Sequence, residues 1–181
     1  QNYLDCFSII AKLDDENTLV ERLLSTTNDH NNETPLHIAA RRGLCDLFDE
    51  FIYSITDIDD TSDPTIVAIT AMTGNSQILK SFIESDVSDE AKSKLIHRED
   101  KEYENTPLHI AAQHNQHTVA ELLLQQNSDV KRQNKFQETP LHTAASYGSL
   151  ECLQLLLQHG AEVDKPNKSG ETPLILAARF G

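Results

Sequence analysis

The sequence predicts an all-α solenoid in which short helix pairs stack along the chain in successive layers. Three observations indicate it. A phrase that begins Thr-Pro-Leu recurs along the 181 residues, an alanine pair closes each clear copy, and apolar residues at helical spacing follow. Hydrophobic residues make up 38% of the chain, enough to bury a core, yet no apolar run reaches the roughly 18 residues of a membrane span. Since one helix pair cannot bury both of its apolar faces, the copies must stack.

The phrase has four clear copies, which begin at Thr34, Thr106, Thr139 and Thr172, and the last two intervals are 33 residues each. The first interval of 72 residues leaves room for a degenerate copy at Thr65–Ala71. Threonine is a good N-cap and proline suits the first helical turn, so each copy predicts a helix start. A residue that tolerates left-handed backbone then predicts the helix end. These residues are Gly43, Gly74, Asn115 and Gly148.

A second helix is expected after each turn. Its apolar residues recur at helical spacing, as at Val119, Leu122 and Leu123. The stretch 162–171 then contains a proline and a glycine, which predicts a projecting, hairpin-like loop before the next Thr-Pro. One repeat is therefore a helix, a tight turn, a second helix and a loop.

This pattern resembles the ankyrin repeat, from about Cys6 to the end of the chain. The 33-residue period combined with Thr-Pro-Leu-His-x-Ala-Ala carries the resemblance. The resemblance implies that the threonine hydroxyl and the motif histidine fix each helix start by hydrogen bonding. His37, His109 and His142 stand at that place, whereas Ala68 and Ile175 replace the histidine in the degenerate and the last copy.

We expect residues 1–181 to form one array of about five to six repeats, the last of them incomplete. The predicted units are an irregular leading repeat at 1–29, a repeat at 30–60, a degenerate repeat at 61–98, repeats at 99–131 and 132–164, and a half repeat at 165–181. The leading unit, with Cys6–Lys12 and Thr18–Leu24 in place of its helices, fits a terminal cap and a drifted internal copy equally well. Because a half repeat exposes apolar surface, we expect the chain to be a fragment of a larger protein.

The degenerate repeat is about eight residues longer than the period, and the surplus falls between Glu84 and Asn105. Within it, Ser88 is a good cap, acids follow it, and lysines come later. That order of charges complements a helix dipole. We therefore expect a short extra helix over Ser88–Ile96.

The charge of the chain excludes some partners. Lys and Arg total 15 against 29 Asp and Glu, a net charge of -14, so nucleic acid and anionic lipid would be repelled. We expect no nucleic-acid partner and no direct membrane contact from this segment. The cysteines Cys6, Cys45 and Cys152 lack Cys-x-x-Cys spacing, which disfavours a disulfide framework or a zinc site and favours a cytoplasmic location.

The sequence gives little indication of a catalytic or metal-binding site. His109, His114 and His117 lie close in sequence, but zinc needs three or four ligands in one small volume and no fourth partner is evident. We favour plain structural roles for these histidines. A cysteine nucleophile needs a base and an electropositive setting, and no phosphate loop, His-Glu-x-x-His or Gly-x-Ser-x-Gly motif occurs. We predict no enzymatic activity, no metal and no cofactor.

The resemblance implies that a partner binds the concave side, which consists of the loop tips and the two residues after each alanine pair. The candidate binding residues are Arg41, Arg42, Tyr103, Gln113, His114, Lys135, Phe136, Ser146, Tyr147, Lys168, Arg179 and Phe180. Large aromatic side chains are unusual on polar loops, and interfaces commonly use aromatic and arginine anchors. Tyr103, Phe136 and Tyr147 are therefore predicted as one anchoring patch. The alternative is that these rings lie back on their own helix or on the next repeat.

Arg41 and Arg42 have two interpretations. These cations, on a very acidic chain, could hold an acidic partner segment, or they could offset the nearby Asp46 and Asp49.

The first function predicted is a non-catalytic module that binds another protein and is monomeric as a fragment. One alternative stays open because the stretch 139–148 and the lengthened linker before Thr106 are also similar to the cytosolic arrays of ankyrin-type transient receptor potential cation channels. There the array would have a mechanical and regulatory role. A second alternative is a substrate-recognition module attached to an enzyme such as a ubiquitin ligase.

Overall fold

The computed structural model describes residues 35–52 and 65–180, and within these ranges the chain contains ten α-helices and no β-strand. The helices are α1 Pro35–Arg42, α2 Cys45–Ile52, α3 Ile66–Thr73, α4 Ser76–Glu84, α5 Asp89–Ile96, α6 Pro107–Gln113, α7 His117–Gln125, α8 Pro140–Ser146, α9 Leu150–Gln158 and α10 Pro173–Phe180. The predicted leading repeat at 1–29 and the first cap, Thr34, lie outside the described residues.

The helices stack in two rows. The first row consists of α1, α3, α6, α8 and α10, and each of these helices packs against the next. The second row consists of α2, α4, α7 and α9, which also pack in succession, and each lies against the first-row helix before it. The predicted all-α solenoid is therefore confirmed over the described residues. The total of five to six repeats stays a prediction.

Small residues hold the first row together. Both members of the alanine pairs Ala39-Ala40, Ala111-Ala112 and Ala144-Ala145 are buried. An alanine face keeps side-chain volume low, so consecutive first-row helices approach closely. Both rows contribute larger core residues, such as Ile69 and Leu108 from the first row and Phe82, Leu123 and Leu156 from the second. One continuous apolar core thus runs through the layers.

Hydrogen bonds between the threonine cap and the motif histidine fix the start of α6. The Thr106 backbone N–H donates to Nδ1 of His109 at 3.2 Å, and the Thr106 hydroxyl lies 2.8 Å from the same nitrogen. Because Nδ1 accepts, the proton of the neutral ring is on Nε2, which donates to the Glu138 carbonyl at 3.0 Å. Glu138 belongs to the next loop, so His109 joins two repeats. The hydrogen-bonded helix start that the resemblance implied is present here.

The same arrangement recurs at α8, where Nδ1 of His142 accepts from the Thr139 backbone N–H at 3.1 Å. The copies without the histidine keep only the simpler cap. In α3 the Ala68 N–H donates to the Thr65 hydroxyl oxygen at 3.2 Å. Helix α10 begins in the same way at Thr172.

The predicted left-handed residues end the first-row helices as expected. Gly43, Gly74 and Gly148 have φ of 66°, 77° and 65°, and Asn115 takes the same conformation at 53°. Asparagine adds contacts that glycine cannot make, because its Oδ1 accepts from the Cys152 N–H at 3.3 Å. Asn115 therefore ends one helix and also ties its layer to the next.

A helix, α5, lies where the sequence predicts a short extra one. The Ser88 hydroxyl accepts from the Ala91 N–H at 3.3 Å and caps it, so the helix itself begins at Asp89. Ala91, Leu95 and Ile96 are buried, and α5 packs against α3. The surplus residues thus extend the core beside the degenerate repeat.

Candidate functional site

Three projecting loops follow α5, α7 and α9, at 97–106, 126–139 and 159–172. We name them the first, second and third loop. A backbone hydrogen bond closes each tip, between Asp100 N–H and Asn105 O at 2.8 Å in the first loop. Asn134 N–H and Asn167 N–H donate to Glu138 O and Glu171 O, both at 2.9 Å, in the other two. The tips are therefore hairpin-like, as predicted.

Buried asparagines shape the second and third tips. Oδ1 of Asn134 accepts from the N–H groups of Phe136 and Glu138 at 2.9 and 3.0 Å. Asn167 repeats this pattern in the third loop, and both asparagines are buried. Sequence reasoning missed these residues. The available signal was an asparagine five residues before the threonine in two consecutive repeats.

Hydrogen bonds join each tip to the next. The Lys135 N–H donates to the Tyr103 carbonyl at 2.9 Å, and the Lys168 N–H donates to the Phe136 carbonyl at 2.9 Å. Nζ of Lys135 also donates to the Glu102 carbonyl at 3.0 Å. The three tips therefore form one connected row, and the predicted binding residue Lys135 helps to hold it.

The tips bring two of the predicted aromatic anchors together. The ring centroids of Tyr103 and Phe136 are 6.0 Å apart, and the ring planes are tilted by 33°. That spacing lies within the usual range for interacting aromatic pairs. The two residues are 42% and 43% exposed, so both rings are partly accessible to a partner. Tyr147, which follows α8, is 61% exposed.

These rings line an open groove of about 410 Å³. Its lining residues are Tyr103, Asn105, Gln113, Asn134, Phe136, Glu138, Thr143 and Tyr147. Four of the predicted binding residues thus meet at one place. The other four were not predicted, although Asn105 and Glu138 directly precede the recurring threonines. We call this feature the aromatic groove.

The remaining predicted residues are not in the lining of the aromatic groove. Ser146, the last residue of α8, is half-buried, and His114 is exposed and follows α6 rather than lying on it. Arg41 and Arg42 end α1. On the last repeat Lys168 is exposed, Phe180 is 63% exposed and Arg179 forms an ion pair with Glu171.

Metal chemistry finds no support at the histidine cluster. Both ring nitrogens of His109 are occupied by hydrogen bonds within the protein. Burial lowers its pKa to about 4, because a charged ring would be poorly solvated there. In the part of the chain that the structure describes, no group of three or more His, Cys, Asp or Glu side chains could hold a metal ion.

We expect the thiol of Cys152 to be unreactive in the folded protein. The side chain is fully buried on α9, and burial raises its pKa to about 11. Since the thiolate is the reactive form, a rise of about two units lowers the thiolate fraction about 100-fold near neutral pH. In a Cys6→Ser, Cys45→Ser background, labelling by Ellman's reagent at pH 8 should be at least 100-fold slower in buffer than in urea. Comparable rates in the two solvents would contradict this.

Replacing Asn134 with alanine should destabilise the second tip by about 2 kcal/mol, since two N–H groups would lose their acceptor. Asn134→Asp is the matched control, because Asp100 accepts the Tyr103 N–H in the first tip. The aspartate should cost less than the alanine. Urea unfolding measured for both variants checks this order, and an equal loss in the two would contradict the role of Oδ1.

No helix in residues 35–52 or 65–180 has the length and apolar character needed to cross a bilayer.

The helix pairs stack in layers, hydrogen bonds join each layer to the next, and the loop tips form a connected row. These features define a repeat protein of the solenoid class. The family model described as ankyrin repeats (3 copies) matches residues 36–134 and 126–181. The chain belongs to the ankyrin-repeat family, whose repeats are generally non-catalytic modules for protein–protein interaction. The search of curated proteins returned no match to this chain.

Proposed function

We propose that this chain binds another protein through the aromatic groove. One observation carries the proposal: aromatic side chains from separate repeats, singled out by their unusual positions in the sequence, line the same groove. Tyr103 and Phe136 come from consecutive tips, and Tyr147 comes from the end of a first-row helix. Clustered aromatic side chains of this kind are typical of recognition surfaces.

The groove is suited to binding because it is already formed. Its two tips are fixed by the hydrogen bond from Lys135 N–H to Tyr103 O and by the side-chain amide of Asn134, which donates to Asn105 Oδ1 at 2.9 Å. A partner would therefore bury aromatic surface without having to order the loops first. Pre-organisation of this kind improves affinity, since ordering an interface costs free energy.

We also propose that the rest of the predicted concave side surrounds the groove with weaker contacts. These residues are Arg41, Arg42, His114, Lys135, Ser146, Lys168, Arg179 and Phe180. The proposed location is the cytoplasm, supported by three cysteines without disulfide or zinc spacing. The groove would have the same role within a channel array or an enzyme's recognition module, so both remain contexts for this proposal.

The test is the triple variant Tyr103→Ala, Phe136→Ala, Tyr147→Ala. We expect it to fold and to lose binding to the native partner by at least about tenfold, because exposed aromatic rings dominate interfaces more than they stabilise a fold. The measurement is quantitative pull-down from lysate of the source organism, with circular dichroism and thermal melting to check the fold.

The matched control is Glu121→Ala, Gln125→Ala, Gln154→Ala. These three residues are exposed on the second-row helices α7 and α9, away from the groove. The control should retain every interaction. If the groove variant stays folded and also retains all of them, the proposed function is wrong.

A further inference from the structure

The aromatic groove has a charge pattern that identifies the chemistry of its occupant. Among its eight lining residues Glu138 is the single charged one, and the others are aromatic, amide or hydroxyl side chains. The Glu138 carboxylate is held in position because the side-chain amide of Asn167 donates to Oε1 at 3.4 Å. The one formal charge among the eight lining residues is therefore negative, and none of these residues is a cation.

Beside Tyr103 the rim carries two carboxylates, Asp100 and Glu102, and one lysine, Lys101. The Glu102 carboxylate, and more weakly Asp100, raise the pKa of the Tyr103 phenol. The Lys135 ammonium, which comes from the second tip, donates to the Glu102 carbonyl. The whole chain carries a net charge of -14, so the long-range field also attracts cations.

An aromatic surface beside a carboxylate favours a guanidinium ligand. Cations bind over the faces of Tyr and Phe rings, and a guanidinium stacks flat on them while it pairs with a carboxylate through two N–H groups. The amide oxygens of Asn105 and Gln113 are additional acceptors of the kind that a five-donor guanidinium uses. An anionic ligand would be repelled by Glu138, and a purely apolar anchor would desolvate the carboxylate without compensation.

We infer that the groove binds an arginine side chain of the partner protein, held between the aromatic rings and Glu138. This inference rests on the proposed function, whose site it shares. It adds the identity of the anchor and predicts what a partner sequence must contain.

The experiment uses a displayed library of random 12-residue peptides, selected against the full 181-residue chain. The strongest peptide is then synthesised with arginine and with citrulline, which has nearly the same shape but no charge. We expect selected peptides to share an arginine, and the citrulline peptide to bind at least tenfold more weakly.

Two protein variants locate the charge. Glu138→Gln should weaken the arginine peptide about tenfold and change the citrulline peptide little, since only the charged anchor senses the carboxylate. Glu121→Gln makes the same change in net charge on the exposed face of α7 and should leave both peptides unaffected. Equal effects of the two variants, or a citrulline peptide within twofold of the arginine peptide, would overturn the inference.

The outcomes also separate this inference from the proposed function. Selected peptides that lack arginine but fail to bind the triple alanine variant would leave the groove as the binding site and refute the arginine anchor. Peptides that bind wild type and the triple variant equally would refute both. A selection that enriches no sequence above the uncoated-surface background would also count against both.

Discussion

Replacing His109 with alanine is expected to lower the free energy of unfolding by about 3 kcal/mol or more. The side chain is 1% exposed and bonds within its own helix start and to the next repeat. Alanine would leave the Thr106 N–H and the Glu138 carbonyl without these partners, and would open a cavity. Buried polar groups that lose their partners cost more than an average hydrogen bond contributes.

Urea unfolding followed by far-ultraviolet circular dichroism measures this effect. His159→Ala is the matched control, because that ring also bonds a backbone carbonyl, Leu155 O at 2.9 Å, but is exposed at the end of α9. The control should lose less than about 1 kcal/mol. If both variants lost a similar free energy of unfolding, His109 would not be joining two layers.

The second large effect is acid destabilisation caused by the same residue. The folded pKa of His109 is about 4, below its ordinary value of 6.5, because burial disfavours the charged ring. The unfolded chain therefore binds a proton at a higher pH than the folded chain does. Stability is retained above about pH 6.5 and is lost as the pH falls from 6.5 towards 4, by about 3 kcal/mol in all. The pKa of His142 is lowered in the same direction.

The measurement is the free energy of unfolding at several pH values from about 7.5 to about 4. His109→Gln is the suitable comparison, since a neutral glutamine can still serve at the third helical position of a capping box. The carboxylates of the chain titrate in both proteins, so the difference between the two curves isolates the histidine. The wild type should lose about 3 kcal/mol more than the variant towards pH 4, and parallel curves would contradict the lowered pKa.

The period and the local chemistry of the repeats made much of the fold predictable. Thr-Pro marks helix starts at Thr106 and Thr139 because capping depends on neighbouring residues alone. The cap at Ser88 made α5 predictable for the same reason. The juxtaposition of Tyr103 and Phe136 also follows from the sequence, since residues 33 apart occupy the same place in consecutive layers.

Other features of the groove depend on the conformation of the loops, which a period does not describe. Asn134 shapes its tip through bonds to the N–H groups of Phe136 and Glu138, and this geometry appears only when the loop is folded. In the sequence, nothing distinguishes Glu138 from other acidic residues of the surface. Its place in the groove results from the loop closing on itself and from the amide of Asn167 in the next repeat.

Site-specific photocrosslinking tests the central claim, that partners bind at the aromatic groove, most directly. A benzoylphenylalanine is placed at Tyr147, in the groove, or at Gln154, exposed on the second-row helix α9. Irradiation in lysate of the source organism should yield adducts from position 147 and none from position 154. Adducts from position 154 with none from position 147 would place the binding surface elsewhere and contradict the account.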